Sequence, residues 1–138
     1  MADVLFVIMR WVHFASMATL IGGILYWRLV LTPALATVSP DAGKTLGGTA
    51  AARYRPFVIA AICGLVVSGS YNLLTNPGHT ALYHMLLGVK LMLALHVFAV
   101  ALLVTQGGEN PRRARLLAGT LVSGLAILAI SAYLRRIF

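Results

Sequence analysis

The sequence predicts an all-α integral membrane protein: an antiparallel, up-and-down bundle of four transmembrane helices forming a single domain over residues 1–138. Three observations predict it. Hydrophobic residues make up 60% of the chain, and the mean hydropathy is +0.91. Charged residues make up only 10%, against about 25% in soluble domains, which leaves too little polar surface for a water-soluble fold. Finally, the apolar residues fall into four windows, each near the ~20 residues needed to cross a hydrocarbon core.

The first window runs over residues 4–31 and is expected to stop at Thr32-Pro33. The second covers residues 56–74, with Pro56 suited to a first helical turn because its missing N–H has no intrahelical partner there. The third spans residues 81–104 and stops at Gly107-Gly108, and the fourth spans residues 116–134, closed by Arg135-Arg136. Thr75-Asn76-Pro77-Gly78-His79 reads as a tight turn with His79 in solvent, and Asn110-Pro111 as a breaker. Residues 34–55 form the longest connection, rich in Ala, Gly, Thr and Ser, with room for a short extra helix. Met1 to Ile8 does not open like a cleavable signal peptide, because its apolar run starts at once and continues far beyond the ~7–15 residues of an h-region.

Charge sets the expected orientation. Arg28, Lys44, Arg53, Arg55, Arg112, Arg113 and Arg115 fall on the side opposite the termini, while Arg10, Arg135 and Arg136 share the side of the termini. The positive-inside rule makes the richer side cytoplasmic and puts both termini outside, in a bacterial inner (cytoplasmic) membrane. The net charge of +8 is therefore distributed along helix ends, with no stripe or patch to hold nucleic acid. The bilayer is the expected partner. Small residues four apart, Ala18/Gly22, Gly64/Ser68 and Gly119/Ser123, mark expected close approaches between helices. The single cysteine, Cys63, supports neither a disulfide framework nor a CxxC metal site, and is expected to be a buried small hydrophobe.

Ionisable side chains within apolar spans are expensive and mark function. Here they are His13, His84, Lys90 and His96. No Asp or Glu lies within a span, since Asp3, Asp41 and Glu109 sit at ends or in connections. That excludes a carboxylate proton relay and a Ser-His-Asp hydrolase. Arg10-Trp11 and Tyr83 read as interfacial belts, placing His13 and His84 at one level. Lys90, seven residues beyond Tyr83, lies about 10 Å deeper and can reach back along its stem. His13, His84 and Lys90 are thus expected to converge, with His96 apart.

Two chemistries use these residues. A b-type haem needs one or two axial ligands from facing helices and small residues to make room for its ring. His13 is the first candidate, with His84, Lys90 or His96 opposite, and Arg10 one turn away is placed to pair with a propionate. Alternatively, Met9, His13 and Met17 form a stripe on the first helix, and Met85, Met92 and His96 share a face of the third. Thioether and imidazole together suit Cu(I). Tyr83, Lys90, Ala94, Val97 and Ala101 occupy the opposite face of that third helix.

The segment Arg10-Trp11-Val12-His13-Phe14-Ala15 followed by Gly22-Gly23, together with Gly64-Leu65-Val66-Val67-Ser68-Gly69 and Tyr83 with Lys90 seven residues on, resembles CopD-type copper-resistance domains and HemJ-type protoporphyrinogen oxidases. The resemblance spans nearly the whole chain, and His84 is an addition where CopD patterns more usually carry glycine. It implies a shared four-helix unit with His13 and Lys90 at the family's polar positions. On the HemJ side it implies haem b ligated by these two residues and an oxidoreductase; on the CopD side, copper uptake. The expected function is a small membrane cytochrome b transferring electrons to or from a quinone or a redox partner protein. The alternatives are Cu(I) binding, and a subunit of a larger respiratory or photosynthetic complex; a homo-oligomer is compatible with each.

Overall fold

The computed structural model describes residues 1–75, 78, 80–106 and 111–137. The expectations placed on Asn76, Pro77, His79, Gly107, Gly108, Glu109 and Asn110 lie outside them. Among the described residues the chain is helical throughout, with α1 (Ala2–Tyr26), a π-helical turn (Trp27–Leu31), a short α2 (Thr32–Leu35), α3 (Pro40–Thr75), α4 (Ala81–Val104) and α5 (Arg113–Ile137). Four helical stretches are long and apolar enough to cross a membrane: Ala2–Leu35, Pro40–Thr75, Ala81–Val104 and Arg113–Arg136. Their outward surface is greasy. Met92 is 75% exposed, Val122 68% and Leu95 66%, which suits lipid tails and would not suit water.

Two prolines behave differently from expectation. The first helix does not stop at Thr32-Pro33, because it widens into the π-helical turn over Trp27–Leu31 and then continues to Leu35. A widened turn accommodates the ring and missing N–H of Pro33. The Thr32 hydroxyl donates to the Trp27 carbonyl at 2.9 Å, occupying an acceptor in the altered ladder. The second helix does not begin at Pro56. It begins at Pro40 and carries Pro56 in its interior, so most of the expected connection 34–55 is helix.

The start of α3 has a local cause. Ser39 Oγ accepts from the Ala42 amide at 3.4 Å, Pro40 fills the first helical position and Asp41 lies in the first turn, a combination that favours helix initiation. Packing then holds the weak Ala- and Gly-rich part. Ala51 is fully buried, and a Cβ at Gly47 would meet Leu35 Cδ1 at 3.3 Å. Tyr54 donates to the carbonyls of Thr19 and Leu20 at 2.8 and 3.1 Å, and the Arg55 guanidinium donates to the Leu102 carbonyl at 3.0 Å. At the end of α3, Gly78 has φ +98°, a left-handed conformation that glycine adopts without a Cβ penalty.

α1 packs most extensively along α3, and α4 along α5, with α1–α5 and α3–α4 contacts joining the pairs. The core runs through Leu20, Ile24, Val58, Val97, Ala101 and Leu117. Small residues admit these contacts, though not all the expected ones. A Cβ at Gly64 would collide with Ser16 Oγ, and one at Gly23 with the Tyr54 phenol. The Gly64/Ser68 pair therefore faces α1. Gly22 and Gly119 meet nothing within 4 Å; their places at the contacts are taken by Gly23 and by Gly124, which abuts Ile21. Cys63 is exposed rather than buried, because its neighbour Gly64 takes the inward direction.

Candidate functional site

His13 is half-buried on the side of α1 that faces α3. Its Nδ1 lies 2.9 Å from Ser68 Oγ. The Ser68 hydroxyl proton is committed elsewhere, because it donates to the Gly64 carbonyl at 2.6 Å. Ser68 must then accept from His13, so Nδ1 carries the proton and Nε2 carries the lone pair. The absence of a side chain at Gly69 leaves space beside the ring, where a Cβ would stand 4.0 Å from His13 Cε1. Ser68 itself is fully buried. The local sequence Gly64-Leu65-Val66-Val67-Ser68-Gly69 therefore does three things at once: close approach to α1, orientation of the imidazole, and room beside it.

His13 lines two adjoining cavities of about 460 Å³ each. Both are also lined by Met17 of α1, Asn72 of α3, and Tyr83, Leu87 and Lys90 of α4. One extends among apolar side chains, including Ile21, Leu65, Phe98 and Ile127. The other opens toward Arg10, Ser131 and Arg135. Half-buried Lys90 thus brings a second nitrogen to the space that His13 lines, from a different helix. Val97 and Ala101, on the Lys90 side of α4, are buried in the core, which turns that side inward.

The expected convergence of His13, His84 and Lys90 needs correction. His84 is exposed, lines neither cavity, and sets its ring edge-on to Tyr83 at 5.8 Å between centroids. His96 is exposed as well and also lines neither cavity. Once Lys90, Val97 and Ala101 point inward, the 100° helical rotation carries His84, Met85, Met92 and His96 outward. Met85 is 61% exposed. The Met/His stripe of α4 therefore does not face the Met9–His13–Met17 stripe of α1, and the two do not line one path. Arg10 lines one of the His13 cavities, its guanidinium 6.0 Å from the ring centroids of both Phe6 and Phe14.

Among the described residues, no three His, Cys, Asp or Glu side chains cluster as a metal-binding group. A haem asks less of the protein, since one or two axial nitrogens and an apolar slot suffice. His13 and Lys90, which line the same two cavities from different helices, bring the nitrogens that would serve such a group. Sequence reasoning gave Ser68 only a packing role and Arg135 only a helix-closing and orienting one, and did not single out Asn72 or Ser131. The spacing Gly64-x-x-x-Ser68 was the available signal for Ser68, since a hydroxyl one turn beyond a contact glycine points into the same interface.

No family model, curated protein or solved structure matches the chain.

Proposed function

We propose that this chain is a membrane-embedded b-type cytochrome that binds haem b between its helices, with His13 and Lys90 as the residues that would hold it. The observation that carries the reading is the chain of hydrogen bonds from His13 Nδ1 to Ser68 Oγ and on to the Gly64 carbonyl. A histidine that ligates a metal typically donates its other ring N–H to a fixed acceptor, which sets the tautomer and the ring orientation. The HemJ-type resemblance points to the same two positions. When bound, haem supplies a one-electron couple whose potential is set by its ligands and surroundings. The chain's own part is to orient His13 through Ser68, to bring Lys90 from α4, and to exclude water with Leu65, Leu87 and Phe98.

In this reading the helices run up and down with both termini outside a bacterial inner membrane. The cavity gathers Arg10 near the start of α1, Asn72 near the end of α3, Tyr83 near the start of α4 and Arg135 near the end of α5, which supports the up-and-down course of the helices. A quinone or a redox protein is the proposed electron partner. Expression with ample haem, purification in detergent and an optical spectrum test the reading. A Soret band with a reducible α-band is expected, and a colourless, haem-free protein would sink it.

A further inference from the structure

The cavity that opens beside His13 is polar in an unbalanced way. Arg10 of α1, Lys90 of α4 and Arg135 of α5 all line it, and among the described residues no Asp or Glu does. With no metal on Lys90, basic groups from three helices face one space, and their charges repel one another unless an anion enters; with Lys90 ligating, Arg10 and Arg135 still do so. Solvation at the membrane interface accounts for Arg10 and Arg135 taken singly, since both are exposed. It does not account for Ser131. Ser131 lines the same cavity, and its Oγ is buried without a hydrogen-bond partner. That hydroxyl is closed off from solvent, so a turn about χ1 is needed to bring the unmatched donor to the cavity, where an anion would satisfy it. The aromatic rings of Phe6 and Phe14 flank the Arg10 guanidinium from either side along the helix, which steadies it at the rim.

We infer that Arg10, Arg135 and Ser131 form a binding site for the anionic head of an amphiphile, a carboxylate or phosphate on an apolar body. The adjoining cavity, walled by Ile21, Leu65, Leu91 and Phe98, takes the apolar body. The inference rests on the same cavity as the proposed cytochrome but not on ligation of iron. Two sources share the chemistry: the propionates of a haem, and the phosphate of an anionic phospholipid.

The test uses the full chain, purified haem-free in a neutral detergent, and two matched pairs of probes. One pair is an iron-free porphyrin dicarboxylic acid and its dimethyl ester; the other is phosphatidylglycerol and phosphatidylcholine. Binding is read by fluorescence quenching for the porphyrins and by thermal shift for the lipids. The anionic member of at least one pair should bind about ten-fold more tightly than its uncharged or zwitterionic counterpart, the effect expected of one charge-assisted hydrogen bond. The preference should vanish in the double variant Arg10→Gln/Arg135→Gln and shrink in Ser131→Ala. Circular dichroism and unliganded melting confirm that these variants fold. Selectivity within the porphyrin pair alone supports the site with the cofactor as its source. Selectivity within the lipid pair alone supports the site with a lipid source and counts against the haem reading. Equal binding within both pairs, or a preference that survives in the double variant, overturns the inference.

Discussion

The His13 imidazole donates from Nδ1 to Ser68 Oγ at 2.9 Å, across the interface of α1 and α3. Because the Ser68 proton already goes to the Gly64 carbonyl, the direction of this bond is settled by its partners. Removing the acceptor should therefore disturb the ring more than the fold. Ser68→Ala is expected to keep the helical content while weakening haem retention by about 10–100-fold, the usual effect of losing an orienting partner. The haem-to-protein ratio after dilution and reconcentration measures it.

Of His13, His84, Lys90 and His96, only His13 and Lys90 line the two cavities described. His13→Gly should lose the Soret band, with partial recovery on adding imidazole. Lys90→Met should shift the spectrum, because a thioether replaces an amine. His84→Ala and His96→Ala should leave it unchanged. A spectrum lost in His96→Ala instead would place the second ligand on the outward face of α4.

Met85 and Met92 face away from the cavities at 61% and 75% exposure. The double variant Met85→Leu/Met92→Leu should leave both the spectrum and cellular copper accumulation unaltered, since leucine conserves volume at a lipid-facing site. A clear fall in copper accumulation would favour a Cu(I) path over a haem site.

The two adjacent glycines of α1 should respond differently to one added methyl. At Gly22 nothing lies within 4 Å, so Gly22→Ala is expected to leave thermal stability unchanged. At Gly23 the new Cβ meets the Tyr54 phenol. That phenol is tied to the Thr19 and Leu20 carbonyls and cannot simply swing aside. Gly23→Ala should lower stability by about 1–3 kcal/mol, seen as an earlier melt in detergent. Equal melting of the two variants would contradict this packing.

Much of the fold is legible in the sequence because hydropathy is a property of windows, and a window of ~20 apolar residues needs no tertiary context to be recognised. Helix ends are less legible. Pro33 and Pro56 read locally as boundaries, yet both lie within helical stretches. At Pro33 the helix widens, and around Pro56 the hydrogen bonds of Tyr54 and Arg55 tie α3 to its neighbours. The signal for the true start, Ser39-Pro40-Asp41, was present but lay within a stretch whose Ala and Gly content suggested a connection.

For the candidate site, the sequence by itself determined which side chains were available in the apolar windows: His13, His84, Lys90 and His96, and no carboxylate, although the helical stretches of the structure extend further and take in Asp3, Asp41 and Lys44 near their starts. It did so because polar residues in a long apolar run stand out whatever the fold. Only the tertiary structure decided which of them meet. The rotation of α4, fixed by burying Val97 and Ala101, turns Lys90 toward His13 and sends His84 and His96 outward. A helix that is apolar on every side gives no moment to fix that rotation. Packing against α5 and α3 fixes it instead, through contacts that no single span contains.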